Sequence, residues 1–410
     1  MNTIGNIDIK ELAQKYGTPL YVYDQQKLTA NYNRLKSALN KYYKNNSIHF
    51  TVKANNNIFV LKSFKNTGSK VEATSPIEIK LAEAAGFSGE EIFYNGNYES
   101  HEDLEFITSR KNIKINLDDY SSFERLLNIN KKIPERISFR INPGIGRGGF
   151  EGITTAGSDA KFGIPYEMAH NAYKKAKEAG VKHFGIHMMT GSNNLEPYYF
   201  AEAVDKLMMI AHDIFSGLDI IPEFVNIGGG FGVPYYDEEP ELDVDLMAKL
   251  ISEIFIERCE KYGFGMPELI LEPGRYLIAN AGYLISQVTG IKNGYRKFIG
   301  IDAGMGTIAR PSLYGAHHRV KAYNNSSPLE KVNICGQYCE NSDILAKGIS
   351  LPKLSEGDLV TILDAGAYCY VMASSYNSRP IPAEVMISSG EHKLIRRREN
   401  FDDYMSLYNF

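Results

Sequence analysis

The chain has 410 residues, 43% of them hydrophobic and 23% charged, with a formal net charge of -4. Such a chain can bury a large core, most simply in two domains, and it carries no positive field to gather nucleic acid or an anionic membrane. No run of about 18 apolar residues is present to span a bilayer. The four cysteines, Cys259, Cys335, Cys339 and Cys369, lack zinc-site spacing and are too sparse for a disulfide scaffold.

The N-terminal MNTIGNIDIKELAQKYG has acidic residues and no continuous apolar segment, which argues against a secretory signal and for a cytoplasmic protein. PLYVYD (19–24) is a strand-like segment and a candidate to pair with the elements that follow. After a helix over 26–43, IHFTVK (48–53) alternates Ile48, Phe50 and Val52 with His49, Thr51 and Lys53, the period of a strand, and stops in three asparagines. Strand-like runs recur at KVEAT (70–74), IFYN (92–95), IKIN (113–116), RISFRI (136–141), HFGIHMM (183–189), EFVNIG (223–228) and ELILE (268–272). Between them lie amphipathic helical patterns such as SPIEIKLAEAAGF and PYEMAHNAYKKAKEAG.

Eight strands alternating with helices predict a closed (β/α)8 barrel rather than an open doubly wound sheet. The glycine-rich loop at 142–163 is longer than such a connection usually requires and is a lid candidate. After residue 275, KFIGIDAG, HRVKAYN, KVNICGQYC, DLVTILDAG and AEVMISS are short β-type runs between Gly, Pro, Asn and Ser turns. The expected organisation is a barrel over 26–275 and a mostly antiparallel β domain over 276–410, joined by residues 1–25.

In such a barrel, functional residues collect at the C-terminal strand ends. Lys53 ends the first strand, Glu72 and Ser75 follow the second, Gly96 follows the third, and Arg140 lies in the fifth with Asn142 just beyond it. His187, Gly191 and Ser192 belong to the sixth, Gly228, Gly229 and Gly230 to the seventh, and Glu272 and Arg275 to the eighth. Taken singly, each has a plain reading: a solvated lysine, a core histidine, a flexible glycine turn, a surface ion pair. At one rim they form a set. An amine for a covalent link, a run of amides able to wrap a phosphate and a carboxylate for a ring nitrogen are what pyridoxal phosphate requires.

The segments FTVKANNN, VEATSPIEI, HMMTGSN, NIGGGFGVPY, LEPGRYL, DAGMGTIARPSLYGAHH, CGQYCENSD and DAGAYCYVMASSYNSRP follow the order seen in diaminopimelate decarboxylases. The chain resembles that family, of fold-type III pyridoxal-phosphate enzymes, from about residue 18 to 400. The resemblance implies that Lys53 links the cofactor covalently, and that Ser192, Gly228, Gly229, Gly230, Glu272, Gly274, Arg275 and Tyr368 hold it, with Glu272 against the pyridine nitrogen. It further implies Arg275, Arg310, Tyr314, Glu340 and Tyr368 as substrate-binding residues and Cys339 as proton donor, Cys339 coming from the partner subunit of a homodimer. No metal is implied. The substrate it suggests is meso-diaminopimelate, decarboxylated to L-lysine. The alternatives are a sister decarboxylase acting on ornithine, arginine, carboxynorspermidine or a modified amino acid, and a non-catalytic homologue that only binds. An alanine racemase would not need the RPSLY and CEN segments. One position departs from the family pattern: a histidine that stacks on the cofactor is replaced by Met189, with His187 on the same face one strand step deeper.

Overall fold

Eight parallel strands close on themselves in the first part of the computed structural model. They run Asn46–Thr51, Lys70–Ala73, Ile92–Asn95, Lys114–Leu117, Arg136–Asn142, His183–Met188, Phe224–Asn226 and Glu268–Leu271, and the last pairs back to the first through Leu271 and Ile48. Residues 1–129, 133–144, 146, 156–323 and 327–409 are described. The chain divides into two compact units, one of Asn31–Pro234 with Pro240–Tyr276, the other of Met1–Ala30, Tyr235–Glu239 and Leu277–Phe410. Residues 145 and 147–155 of the lid candidate lie outside the described residues.

The helices between strands follow from local chemistry. In SPIEIKLAEAAGF, Ser75 accepts from the Glu78 N–H as N-cap, Pro76 opens the first turn, and Gly86 closes the helix in a left-handed conformation. The face formed by Ile79, Ala82 and Ala85 is buried. Outward-facing strand residues such as Ile48 and Phe50 are buried as well, as expected where helices cover the sheet.

The barrel interior is polar above one apolar layer. Phe93, Phe224 and Ile270 form that layer. Around it, buried side chains are hydrogen-bonded from Ser138 to Asn116 (2.7 Å) and from Asn116 to Asn95 (2.8 Å), with the Asn95 amide lying 3.4 Å from His187. Each buried polar group there needs a partner, because leaving one unmade costs more than the bond contributes.

At the opposite end of the barrel, Glu268 takes Lys70 at 2.8 Å and Lys114 at 2.6 Å. Burial alone would raise its carboxyl, yet Lys114 and Lys70 hold it far below the usual carboxylate range. Glu268→Gln would strand two partly buried ammonium groups, and a loss of about 2–4 kcal/mol at neutral pH is expected. A depressed carboxylate contributes stability above its unfolded pKa and loses that contribution as pH falls. Thermal melts of the two proteins should therefore differ at pH 7 and converge in acid; equal melting at pH 7 would refute the assignment.

The second unit is built on a nine-stranded mixed sheet, of which most pairs are antiparallel. Its longest strand, Gly282–Asn293, pairs with Leu20–Asp24 and with Lys297–Ile301. PLYVYD thus joins this sheet, also running parallel to Ala383–Ser388, and does not pair with a barrel strand. The strand Gly282–Asn293 is not evident from sequence. Its first five residues are buried, so no alternation separates it from the apolar run before it.

Candidate active site

The first barrel strand stops at Thr51, two residues before Lys53. A single 3-10 turn, Val52–Ala54, closed by Asn55 N–H donating to the Val52 carbonyl (3.0 Å), buries Val52 and Ala54 and turns Lys53 outward. Its side chain is 45% exposed, and its ammonium meets both oxygens of Glu72, at 2.8 and 3.1 Å. Glu72, on the second strand, is fully buried. Burial pushes its carboxyl up against the pull of the Lys53 ammonium. A charged amine at the end of an apolar strand is thus answered by a buried carboxylate.

Glu272 follows the eighth strand and is also buried. Asn226 donates to one of its oxygens at 2.7 Å, and His187 Nε2 lies 3.2 Å from the other. The Thr51 hydroxyl donates to its backbone carbonyl at 3.0 Å. Burial would raise the carboxyl, but His187, Lys53 and Asn226 outweigh it, so Glu272 stays ionised. Burial keeps His187 neutral, and its contact with a carboxylate oxygen places the ring proton on Nε2.

Gly228, Gly229 and Gly230 follow the seventh strand. A Cβ on Gly229 would stand 2.2 Å from the Glu272 carbonyl oxygen, and Gly230 holds a φ of +92°, so neither position admits a larger residue without displacement. The Gly229 N–H donates to the Met189 sulfur at 3.2 Å. Met189 therefore lies on the glycine loop, in reach of an amide that could otherwise serve a phosphate. Arg275 opens a short helix just after Gly274 and donates to the Ser192 hydroxyl at 3.3 Å. Arg140 is buried on the fifth strand, 3.9 Å from Asp118 and over the Phe162 ring.

Met189→His replaces a soft, mobile sulfur acceptor by a rigid imidazole. On the family resemblance, cofactor content should stay within a few-fold, while selectivity among diamino-acid substrates shifts. Unchanged kcat/KM ratios across the substrates would reduce Met189 to packing.

The remaining candidates belong to the second unit. Arg310 is buried and Tyr314 partly so, on one short helix, Arg310–Tyr314. Cys339 and Glu340 are exposed on a loop, with the Cys339 N–H donating to the Asn377 side chain at 2.7 Å. Tyr368 adopts a left-handed φ of 58°, uncommon for a bulky residue and frequent at functional sites. The sequence places Glu72 and His187 at the rim without a specific role, and it does not single out Asn226 or His318. For Asn226 a signal exists, a polar residue in a short buried strand two positions before the glycines.

The family model for the pyridoxal-binding domain of pyridoxal-dependent decarboxylases matches residues 25–279. Over 406 residues the chain is 40% identical to the diaminopimelate decarboxylase of Methanothermobacter thermautotrophicus, covering 98% of this chain and 94% of that protein. The chain belongs to the diaminopimelate decarboxylase family. The Thermoplasma acidophilum diaminopimelate decarboxylase is likewise 40% identical, over 98% of this chain and 96% of that one. The crystal structure of the Helicobacter pylori diaminopimelate decarboxylase complexed with L-lysine superposes with a TM-score of 0.90 at 31% identity, covering 98% of this chain and 99% of that one. A lysine/ornithine decarboxylase from Vibrio vulnificus, at 20% identity and a TM-score of 0.79, shares the fold.

This diaminopimelate decarboxylase family member is a pyridoxal-phosphate-dependent carboxy-lyase. Its barrel fits the cofactor: a glycine cradle that a Cβ would fill, an ionised buried carboxylate and a half-exposed lysine at the same strand ends.

Proposed function

We propose that the enzyme decarboxylates meso-diaminopimelate to L-lysine and carbon dioxide. The observation that carries this choice of substrate is Arg310. Its side chain is 3% exposed, and among the described residues no carboxylate lies within ion-pair distance of it. A buried guanidinium without an anion is costly, and a substrate with a second carboxylate supplies one. Ornithine, arginine and carboxynorspermidine carry no carboxylate at the remote end. Release of CO2 from meso-diaminopimelate, measured beside these other substrates, is the test; equal or faster release from any of them would overturn the assignment.

In this reading Lys53 is the covalent anchor, and Glu72 keeps its amine at the barrel mouth. The Gly228–Gly230 amides and the Ser192 hydroxyl bind phosphate, with Gly274 and Arg275 beside them. Glu272, braced by Asn226 and His187, holds a proton at the ring nitrogen. Pyridoxal phosphate supplies the electron sink for the charge left when CO2 departs. Arg275, Arg310 and Tyr314 grip the remote carboxylate, for which the planar guanidinium fork is well shaped. Glu340 meets the remote ammonium, Tyr368 reaches both cofactor and substrate, and Cys339 delivers the proton to the carbon that lost CO2. The departing carboxylate is left without a tight cationic partner, since holding it would stabilise the ground state.

The reading extends to a homodimer in the cytoplasm whose sites are completed by Cys339 and Glu340 of the partner chain. Exposure of that loop supports the arrangement, since a two-fold interface can bring one chain's loop to its partner's site. The four free cysteines suit a reducing compartment, and no described helix is long and apolar enough to cross a membrane. Mixing inactive Lys53→Ala chains with inactive Cys339→Ala chains should restore about a quarter of wild-type activity if subunits pair at random in a two-fold dimer. Proven subunit exchange without any recovery would eliminate the shared site.

A further inference from the structure

We propose that His318 is a positioning residue for substrate recognition, fixing the Arg310 guanidinium through a neutral acceptor so that its charge remains available to the substrate's remote carboxylate. The inference rests on the reading that Arg310 binds that carboxylate. The helix Arg310–Tyr314 ends at Gly315, whose φ of 66° allows the Gly315 N–H to reach the Pro311 carbonyl (3.0 Å) and the Ala316 N–H to reach that of Arg310 (3.3 Å). The chain doubles back, and His318 meets Arg310 eight positions on.

Arg310 Nη1 donates to His318 Nε2 at 2.7 Å, and His318 Nδ1 lies 2.9 Å from the Leu363 carbonyl oxygen. A guanidinium only donates and a carbonyl only accepts. Both contacts are satisfied together by one form of the ring, neutral with its proton on Nδ1. Tyr235 covers the pair, its ring centroid 4.7 Å from the guanidinium carbon and 5.3 Å from the imidazole, edge to face. The neighbouring Asp364 is already engaged by Arg319 at 2.7 Å.

The residue type follows from this geometry. A carboxylate at 318 would pair with Arg310 and cancel the charge the substrate needs. An aliphatic residue would leave an N–H unsatisfied and the fork unoriented. A neutral imidazole, 1% exposed and itself anchored to the backbone, orients the guanidinium and leaves its charge intact.

The test uses holoenzyme with His318→Leu, His318→Glu, His318→Gln and Arg310→Leu. In the leucine and glutamate variants KM for meso-diaminopimelate should rise about 10- to 100-fold, the scale of a lost hydrogen bond to a charged group, with kcat changed less than about threefold. Ki for L-lysine, which keeps the remote carboxylate, should rise in parallel, whereas Ki for 1,5-diaminopentane, which lacks it, should not move. His318→Gln, which retains an acceptor oxygen, should recover most of the affinity. Arg310→Leu separates the two ideas. If it leaves KM unchanged, the carboxylate-binding reading itself fails. If it raises KM while His318→Leu and His318→Glu do not, the positioning role alone is refuted. Should the leucine variant fail to fold, a glutamate variant with wild-type KM and lysine Ki is equally fatal.

Discussion

Lys53→Ala is expected to lose decarboxylation by a factor on the order of 10⁴ or more, the scale seen when a covalent catalytic group is removed. Borohydride reduction of the wild-type holoenzyme followed by peptide mapping should place the pyridoxyl label on Lys53. A label on any other lysine would end the assignment. The same substitution carries a second signature. With the Lys53 ammonium gone from its 2.8 Å contact, Glu72 loses the charge that opposes burial, and its carboxyl rises further above the usual value of 4.5. A carboxyl raised in the folded state binds a proton that the unfolded chain has lost. Its stabilising effect is therefore full below the unfolded pKa and disappears as pH climbs through the folded one. The variant should lose stability relative to wild type between about pH 5 and 8, the window above the ordinary carboxylate pKa. Parallel melting curves across that window would show that Lys53 does not balance Glu72.

Glu272→Gln should lower kcat by about 10²- to 10³-fold, comparable to deleting one preorganised electrostatic contact, while the protein still takes up cofactor through the glycine cradle and Lys53. Glutamine matches the size of the side chain and can still accept from Asn226, now 2.7 Å away. It cannot supply the negative charge that keeps a ring nitrogen protonated. His187 and Asn226, which touch both carboxylate oxygens, should show smaller losses of the same kind. A kcat within tenfold of wild type for Glu272→Gln, at full cofactor occupancy, would remove Glu272 from that role.

The barrel was legible because its strands repeat. The observed strand Ile92–Asn95 coincides with the IFYN run, and the other seven observed strands lie within two residues of their sequence runs at each end. The exceptions are local. The first strand was read through Lys53, since Val52 and Lys53 continue its alternation, but the backbone leaves the ladder at Thr51 to form a 3-10 turn. Gly282–Asn293 is not evident from the sequence because its first five residues are buried on both faces, which removes the alternation that would mark its start.

By itself the sequence determined the fold class, the family, the cofactor and the order of the segments around the site, because periodicity and motif spacing are properties of neighbouring residues. Only the tertiary structure decided partners. Barrel register brings Lys53 to Glu72 across 19 positions and His187 to Glu272 across 85. The turn at Gly315 sets His318 on Arg310. PLYVYD finds its two neighbours far along the chain, at Gly282–Ile285 and Ala383–Ile387. Burial removes water as the competing partner, so most buried charges and polar groups are met by what the packed chain places beside them, and which groups those are is a property of the fold.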